Sequence, residues 1–414
     1  MDENRVLALG LGVTAPWRLV EQRLDTDRHP HALHLRVEAE RGAQFSCPVC
    51  GRQCQAHDFK DFTWRHLNFF QHHCYITAKV PRTNCPDHGV RRVQVPWARE
   101  GSHFTLLFEQ AALLLVREMP VLTAARMIGI TDQRLWRIVE HYVAKAVTSL
   151  DLGALKAFAF DETAAKRGHV YVTIFIDLDR RRQPVLFVTP GKGKETVARF
   201  RAFIAAHGGE PGRVVEVVCD MSKAFLAAVG EQFPTAAVTV DWFHVVQLFT
   251  KAVDTVRKAE ARLVKMPGAV RWAVLKAGDG PLTEKQAEAL AELESGGFLT
   301  AAAWRIKELL RWVRHAETPR AARWRLTHFL RHARDRIASS PLLDAFRAAL
   351  DTVETHRQRI LQRWTSTHTN ARLEALNGMF QLVRARARGF RNVDTFIAMI
   401  YLVGAPLPKL VNSI

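Results

Sequence analysis

Lys156-Ala157-Phe158-Ala159-Phe160-Asp161 and Val214-Val215-Glu216-Val217-Val218-Cys219-Asp220 are two short apolar runs, each ending in an aspartate. Their β-branched and aromatic residues, bounded by Gly, Pro or charge, predict buried β-strands. Ligands of α/β sheets collect beyond strand ends. A carboxylate at the mouth of each of two neighbouring strands therefore predicts a site, with a divalent metal ion as its occupant.

The surrounding pattern predicts the sheet. Residues 169–177 alternate, with Val170, Val172, Ile174 and Ile176 on one face, and the turn Asp179-Arg180-Arg181-Arg182-Gln183 leads into a strand over 185–188. Asp177 and Asp179 read as solvated turn residues. An amphipathic helix over 194–207 buries Val197, Phe200, Phe203 and Ile204; the second aspartate run follows, then a helix over 222–233 and a strand over 236–240 entering Asp241. The order βββαβαβα is that of a ribonuclease H-like α/β domain. Its first and fourth strands lie side by side, which would bring Asp161 and Asp220 to the same ions. Asp241 and His244, one helical turn apart, read as supporting groups or as a simple cap.

From Val245 to about Trp364 the sequence is charged, Trp-rich and helical, which predicts an α-helical insertion over 251–364. Beyond it, Leu373, Leu376, Met379, Phe380 and Val383 make one helical face; Asn370, Glu374, Asn377, Gln381 and Arg384 make another. An acid framed by amides and arginine suits a metal site that also holds a phosphodiester. A solvated face is the plainer reading.

Upstream, residues 17–39 alternate as one half-buried strand leading to Cys47-Pro48-Val49-Cys50-Gly51, and Cys85-Pro86-Asp87-His88-Gly89 repeats the spacing. Two such turns bring four ligands to one tetrahedral zinc. The expected set is Cys47, Cys50, Cys85 and His88, with strands over 63–67 and 75–80 between them. Four protein ligands leave no open position, so this Zn²⁺ is structural. Cys54, His57 and Cys74 are competing ligands. A helix is expected over 104–119, closed by Pro120. Residues 123–138 have the build of a helix-turn-helix, Gly129 at the turn and Thr131 or Asp132 as cap. Gln133, Arg134 and Arg137 would then face a major groove; an ordinary helical hairpin is the alternative.

Composition points the same way. The 414 residues predict two to four domains. A net charge of +18, with 59 basic residues along the whole chain, predicts a polyanionic partner, namely nucleic acid. No apolar run approaches a membrane span and the N-terminus lacks a signal-peptide pattern, so a cytoplasmic location is expected. Five of the six cysteines fall within residues 47–85, which suggests a metal site more than disulfides.

Asp161-Glu162, Cys219-Asp220-Met221-Ser222-Lys223-Ala224-Phe225, Asp241-Trp242-Phe243-His244-Val245, Thr369-Asn370-Ala371-Arg372-Leu373-Glu374 and Ala387-Arg388-Gly389-Phe390-Arg391 together resemble the DDE transposases of the ISL3 insertion-sequence family. The zinc knuckles and helix-turn-helix match as well. Ala375 stands where many members have Gly. The resemblance implies Asp161, Asp220 and Glu374 as catalytic acids holding two Mg²⁺ (or Mn²⁺) ions for phosphoryl transfer, with Asp241, His244 and Asn377 beside them. It implies element ends and target DNA as partners and a bacterial, nucleoid-associated setting. The basic cluster Arg384, Arg386, Arg388 and Arg391 reads as a clamp on backbone phosphates or as a solvated arginine face, and bringing two ends together calls for a homodimer or larger assembly on DNA. The expected organisation is a β/zinc module over 1–100, a helix-turn-helix over 101–150, a catalytic core over 151–250, the insertion over 251–364, and core helices carrying the third acid over 365–414. A zinc-containing DNA-binding regulator without catalysis, or a nuclease or resolvase on the same fold, are the alternatives.

Overall fold

A computed structural model describes residues 7, 8, 10–27, 29–166, 168–276, 281–366, 368, 371–390 and 392–406, and for 371–374 the backbone alone. The chain divides into two compact units, one up to Lys145 and one from Ala146 to Pro406. Among the described residues, no helix is long and apolar enough to cross a membrane.

The first unit opens with β1 (Trp17–Asp25), β2 (Ala32–Ala39), β3 (Gln44–Ser46), β4 (Gln53–Phe69), β5 (His72–Cys85) and β6 (Gly89–Arg92), in the order β1-β2-β5-β4-β3 with β6 on β5. The single strand expected over 17–39 is in fact two. A polar turn divides it, where Asp27 N–H donates to Asp25 Oδ1 at 3.0 Å, and the halves pair antiparallel with Leu24 opposite Leu33. Period-two alternation persists across such a turn because paired residues share a face. The strands expected over 63–67 and 75–80 are parts of the long β4–β5 hairpin. Trp17 and Trp64 both meet Trp97 edge-on, at 5.1 and 5.7 Å, inside the core.

Three helices follow: α1 (Leu106–Glu118), α2 (Val121–Ile128) and α3 (Asp132–Thr148). Thr105 caps α1, its side chain accepting from Phe108 N–H. Gly129, in the left-handed region at φ 69°, ends α2, and Thr131 Oγ1 accepts from Arg134 N–H to start α3. The fully buried Glu109 accepts from Arg99, Ser102 and Tyr142, which ties α1 to α3.

The second unit holds β7 (Ala157–Lys166), β8 (Val170–Asp177), β9 (Val185–Pro190), α4 (Lys194–Ala206), β10 (Glu216–Cys219), α5 (Lys223–Gln232), β11 (Ala237–Val240) and α6 (Trp242–Glu260). The strand order is β11-β10-β7-β8-β9; β10 runs parallel to both β7 and β11, whereas the β7–β8 and β8–β9 pairs are antiparallel. Phe158 and Phe160 of β7 pack with Phe175, Phe200, Phe225 and Phe233 in a core under α4 and α5. Each buried phenylalanine contributes roughly 1.5–3 kcal/mol, so this wall fixes the strand that carries Asp161.

β7 does not stop at Asp161. Its parallel pairing with β10 ends at Ala159, opposite Val218, while its antiparallel pairing with β8 carries it on to Lys166. Asp161 therefore sits mid-strand, where only one neighbour continues.

After α6 come α7 (Val270–Val274), α8 (Glu284–Ser295), α9 (Leu299–Arg314), α10 (Pro319–Ile337), α11 (Arg347–Thr355) and α12 (Arg357–Leu361), around a core of their own shared with α6. Buried Glu260 caps α9, accepting from Leu299 N–H, Thr300 N–H and Thr300 Oγ1, each at 2.7 Å. No strand occurs in this stretch among the described residues. The chain returns to the sheet through α13 (Ala371–Arg386) and α14 (Val393–Gly404). Tyr401 of α14 covers the edge strand β9, its hydroxyl accepting from Val188 N–H at 2.9 Å, so that edge offers one fewer free donor.

Candidate active site and metal centre

Strand alternation sends Phe158 and Phe160 into the aromatic core and Asp161 and Thr163 to the opposite face, where α13 lies. Three polar residues of α13 form a ladder along β7. Asn377 Nδ2 donates to Asp161 Oδ2 at 2.9 Å, Gln381 Nε2 donates to Thr163 Oγ1 and to Ala164 O (3.2 Å), and Arg384 donates to Ala164 O at 2.6 Å. Their spacing of four and three residues keeps them on one helical face. Glu374 lies in the same helix, one turn before Asn377; its side chain is outside the described residues.

Asp220 follows the last residue of β10, and its Oδ1 accepts from Ser222 N–H at 3.0 Å at the start of α5. Asp241 follows β11 and caps α6, accepting from Phe243 N–H at 3.1 Å, with His244 Nε2 3.8 Å from its other oxygen. Burial pushes the Asp161 carboxyl up to about 6. The Glu162 amide and the His244 imidazole pull against this, and the Asp220 and Asp241 carboxylates add to it. Burial likewise raises Asp220 and Glu162. Acids that resist ionisation together present a potential that a cation relieves. A second sign fits a bound group: Asn377 Oδ1 is buried and has no hydrogen-bond partner among the described residues. The hard oxygens of Asp161 and Asp220 suit Mg²⁺ or Mn²⁺.

Sequence reasoning missed a contact at the other end of β10. Glu216 accepts from Thr239 Oγ1 (3.1 Å) and from Ser366, and its Oε2 lies 3.0 Å from His368 Nδ1. His368 Nε2 lies 3.1 Å from Asp179 Oδ1, so Asp179 is engaged and not merely solvated. Burial alone would lower the imidazole, but the two carboxylates leave it raised. This clamp fastens the chain just before α13. A polar residue opening an otherwise apolar strand was its only signal.

In the first unit, Cys47 Sγ, Cys50 Sγ, Cys85 Sγ and a ring nitrogen of His88 all lie within 4.8 Å of one another. Cys50–Cys85, Cys85–His88 and Cys47–His88 are 3.7, 3.6 and 3.9 Å apart. Ligands at roughly 2.3 Å from a tetrahedral ion lie about 3.7 Å from each other, so these donors fit zinc. Gly51 and Gly89 close the turns in the left-handed region, at φ 74° and 66°. The amides of Cys50 and Val49 lower the Cys47 thiol. At Cys50 the Arg52 amide acts downward, but partial desolvation of the exposed thiol and the neighbouring Cys85 and Cys47 thiols leave it raised. Of the competing ligands, Cys54 donates to Arg52 O at 3.5 Å, Cys74 is buried in the strand core with its thiol pushed up to about 11, and His57 is exposed.

Gln133, Arg134 and Arg137 are exposed at the start of α3, Arg134 stacking over Phe104 at 4.4 Å. Arg386 and Arg388 are exposed at the end of α13; Arg384 instead holds β7, and Arg391 lies outside the described residues.

Known proteins resemble this chain along most of its length. A family profile described as a transposase (ISL3 type) matches residues 158–400. One for the helix-turn-helix domain of transposase family ISL3 matches 93–143, and one for the zinc-finger of transposase IS204/IS1001/IS1096/IS1165 matches 43–88. The transposase for insertion sequence element IS1557, from two strains of Mycobacterium tuberculosis, is 29% identical over 226 residues, 54% of this chain and 50% of the relative. The match thus spans about half the length of those relatives. The transposase for insertion sequence element IS1001 of Bordetella parapertussis is 24% identical over 364 residues, 86% of this chain and 87% of that one.

Proposed function

Because the transposase profile covers more than half of its 414 residues, the chain belongs to the ISL3 family of transposases, and we propose that it binds the terminal inverted repeats of an insertion sequence and cleaves and joins DNA strands there. One observation carries the reading. Asp161 and Asp220 stand two residues beyond the last paired positions of adjacent parallel strands, Ala159 and Val218, and α13 meets Asp161 through Asn377. The strand order supports a ribonuclease H-like core.

In this reading Asp161, Asp220 and Glu374 are the catalytic acids. Two Mg²⁺ ions, or Mn²⁺, would supply Lewis-acid activation of the phosphodiester and of the attacking oxygen. Asp161 and Asp220 would hold them through oxygens already fixed by the Glu162 and Ser222 amides. Glu374 would join from α13, since three residues before Asn377 is one helical turn on the same face. Asn377 orients Asp161, and Asp241 with His244 tunes the charge. Cys47, Cys50, Cys85 and His88 would hold a structural Zn²⁺ that shapes the N-terminal module. Gln133, Arg134 and Arg137 would read a major groove, while Arg386, Arg388 and Arg391 would contact phosphates; Arg384 braces β7. The organisation into zinc module, helix-turn-helix, split catalytic core and helical insertion follows the limits given above. Two element ends must be brought together, which favours a dimer or larger assembly on DNA, in the bacterial cytoplasm beside the nucleoid.

The test is Mg²⁺- or Mn²⁺-dependent cleavage and joining of DNA carrying the sequences that flank the gene. Wild type should cut and join, whereas Glu374→Gln should bind and do neither. Cutting by Glu374→Gln at the wild-type rate would remove the third acid from the site. A wild type that binds but never cuts would leave a DNA-binding regulator.

A further inference from the structure

The helical insertion carries aromatic surface that its own folding does not use. α9 buries Ile306, Leu310 and Val313, and α10 buries Leu326, Phe329 and Leu330, yet Trp312 and Trp324 remain 37% and 54% exposed. The two rings stand 5.5 Å apart at 70°, and His328 lies 4.1 Å from Trp324. Arg325 sits over Trp312 at 5.3 Å and donates to its carbonyl at 2.7 Å, which fixes that rim. Beside them opens a cleft of about 390 Å³, with Leu309, Trp312 and Phe329 as apolar walls and His328, Arg331, His332 and Asp335 as polar ones; Trp324 stands at its rim, against Trp312 and His328.

Charge selects the occupant. α10 carries six arginines and one acid, Asp335. Arg334 pairs with Asp351 and Glu354 at 3.8 and 3.7 Å, but the guanidinium groups of Arg320, Arg323, Arg331 and Arg336 make no ion pair among the described residues. An apolar protein partner would leave these charges unmatched. A strand of nucleic acid matches both features, its phosphates to the arginines and its flat bases to the rings.

We propose that the α9–α10 cleft receives an unpaired DNA base, stacked on Trp312 and bordered by Trp324 and His328, with the α10 arginines on the flanking phosphates. A base in intact duplex is already stacked on its neighbours, so the cleft selects DNA that is open or cut. The inference rests on the reading of the chain as a DNA-cleaving transposase, since cleavage at an element end is what frees such bases.

The test uses the full chain with two probes, labelled oligo(dT) carrying one 2-aminopurine and a blunt duplex of equal length. Trp324→Ala and Trp312→Ala should each weaken oligo(dT) binding by roughly 5- to 100-fold and abolish 2-aminopurine quenching, with duplex affinity changed by less than about twofold. Trp324→Phe should stay within about threefold of wild type, because a flat ring remains. Trp324 is exposed, so an unchanged melting midpoint should show that its variants fold. Equal losses on both probes, or none, would overturn the proposal. So would unchanged oligo(dT) binding with an altered solution mass, which would make the cleft a contact between copies of the chain. A wild type that binds the duplex but not oligo(dT) would end this inference and spare the DNA reading; binding neither would end both.

Discussion

Asp161 is held where burial disfavours its carboxylate, a cost that a bound cation would offset. Its pKa of about 6 lies some two units above an unperturbed aspartate, with burial as the main cause. Folding therefore takes up a proton between roughly pH 4 and pH 6, and stability from this group, intact below that window, is lost as the pH rises through it. Asp161→Asn removes the penalty. The orphan Oδ1 of Asn377 can turn to accept from the new amide. In buffer without added Mg²⁺, and without a chelator that would strip zinc, the variant should be more stable than wild type by about 3 kcal/mol at pH 7 and nearly equal to it near pH 4. Calorimetry across that range checks this, and an Asn variant no more stable at pH 7 would contradict it. The same pair predicts a loss that stability does not register. Asn377→Ala frees the Asp161 carboxylate to rotate, so metal-dependent cleavage should fall by about 10- to 100-fold while duplex affinity holds. Equal cleavage rates for the two proteins would reduce Asn377 to packing.

At the scale of elements, the sequence was most legible where structure is local. Cys47-Pro48-Val49-Cys50-Gly51 and Cys85-Pro86-Asp87-His88-Gly89 each specify a turn within five residues, and the structure brings their four side chains together. The helix-turn-helix was legible for the same reason, through Gly129 and Thr131. What depends on a distant partner was not legible. The end of β7 is set by β8, so an apolar run ending at Asp161 looked like a strand ending there. The bond from Arg384 to Ala164 O, on a strand far away in sequence, had no signal in a helix read as a phosphate-contacting face. The Glu216–His368–Asp179 clamp joins three segments that no periodicity links. Locality also sharpens a prediction. Cys50 is exposed and packs against no core, so Cys50→Ser should act through the metal alone. Zinc content should fall from one ion per chain toward none, and protease should cleave between β3 and β6 in the variant but not in wild type. Full zinc content in that variant would remove Cys50 from the ligand set.

At the scale of the whole molecule, the two units have separate cores, the strand core around Ile76 and Trp97 in one and the Phe158–Phe200 core with the helical core in the other. The net charge of +18 is spread along the chain, so general attraction to DNA does not reside in either unit alone. Recognition and chemistry should therefore fail separately. Asp220→Asn replaces one charged oxygen and leaves the Ser222 N–H its acceptor, so the second unit should keep its fold. Cleavage should become undetectable, while binding to element ends stays within about twofold, because no duplex-contacting group has changed. Cys50→Ser should show the converse: the preference for element ends over unrelated duplex should collapse, and residual binding should weaken steeply with salt, by about a thousandfold or more between roughly 50 and 200 mM. Competition binding at two salt concentrations, run beside a cleavage assay, reads both variants at once. Loss of end binding in a folded Asp220→Asn protein would show that the carboxylate site itself holds the DNA, and the division between recognition and catalysis would have to be redrawn.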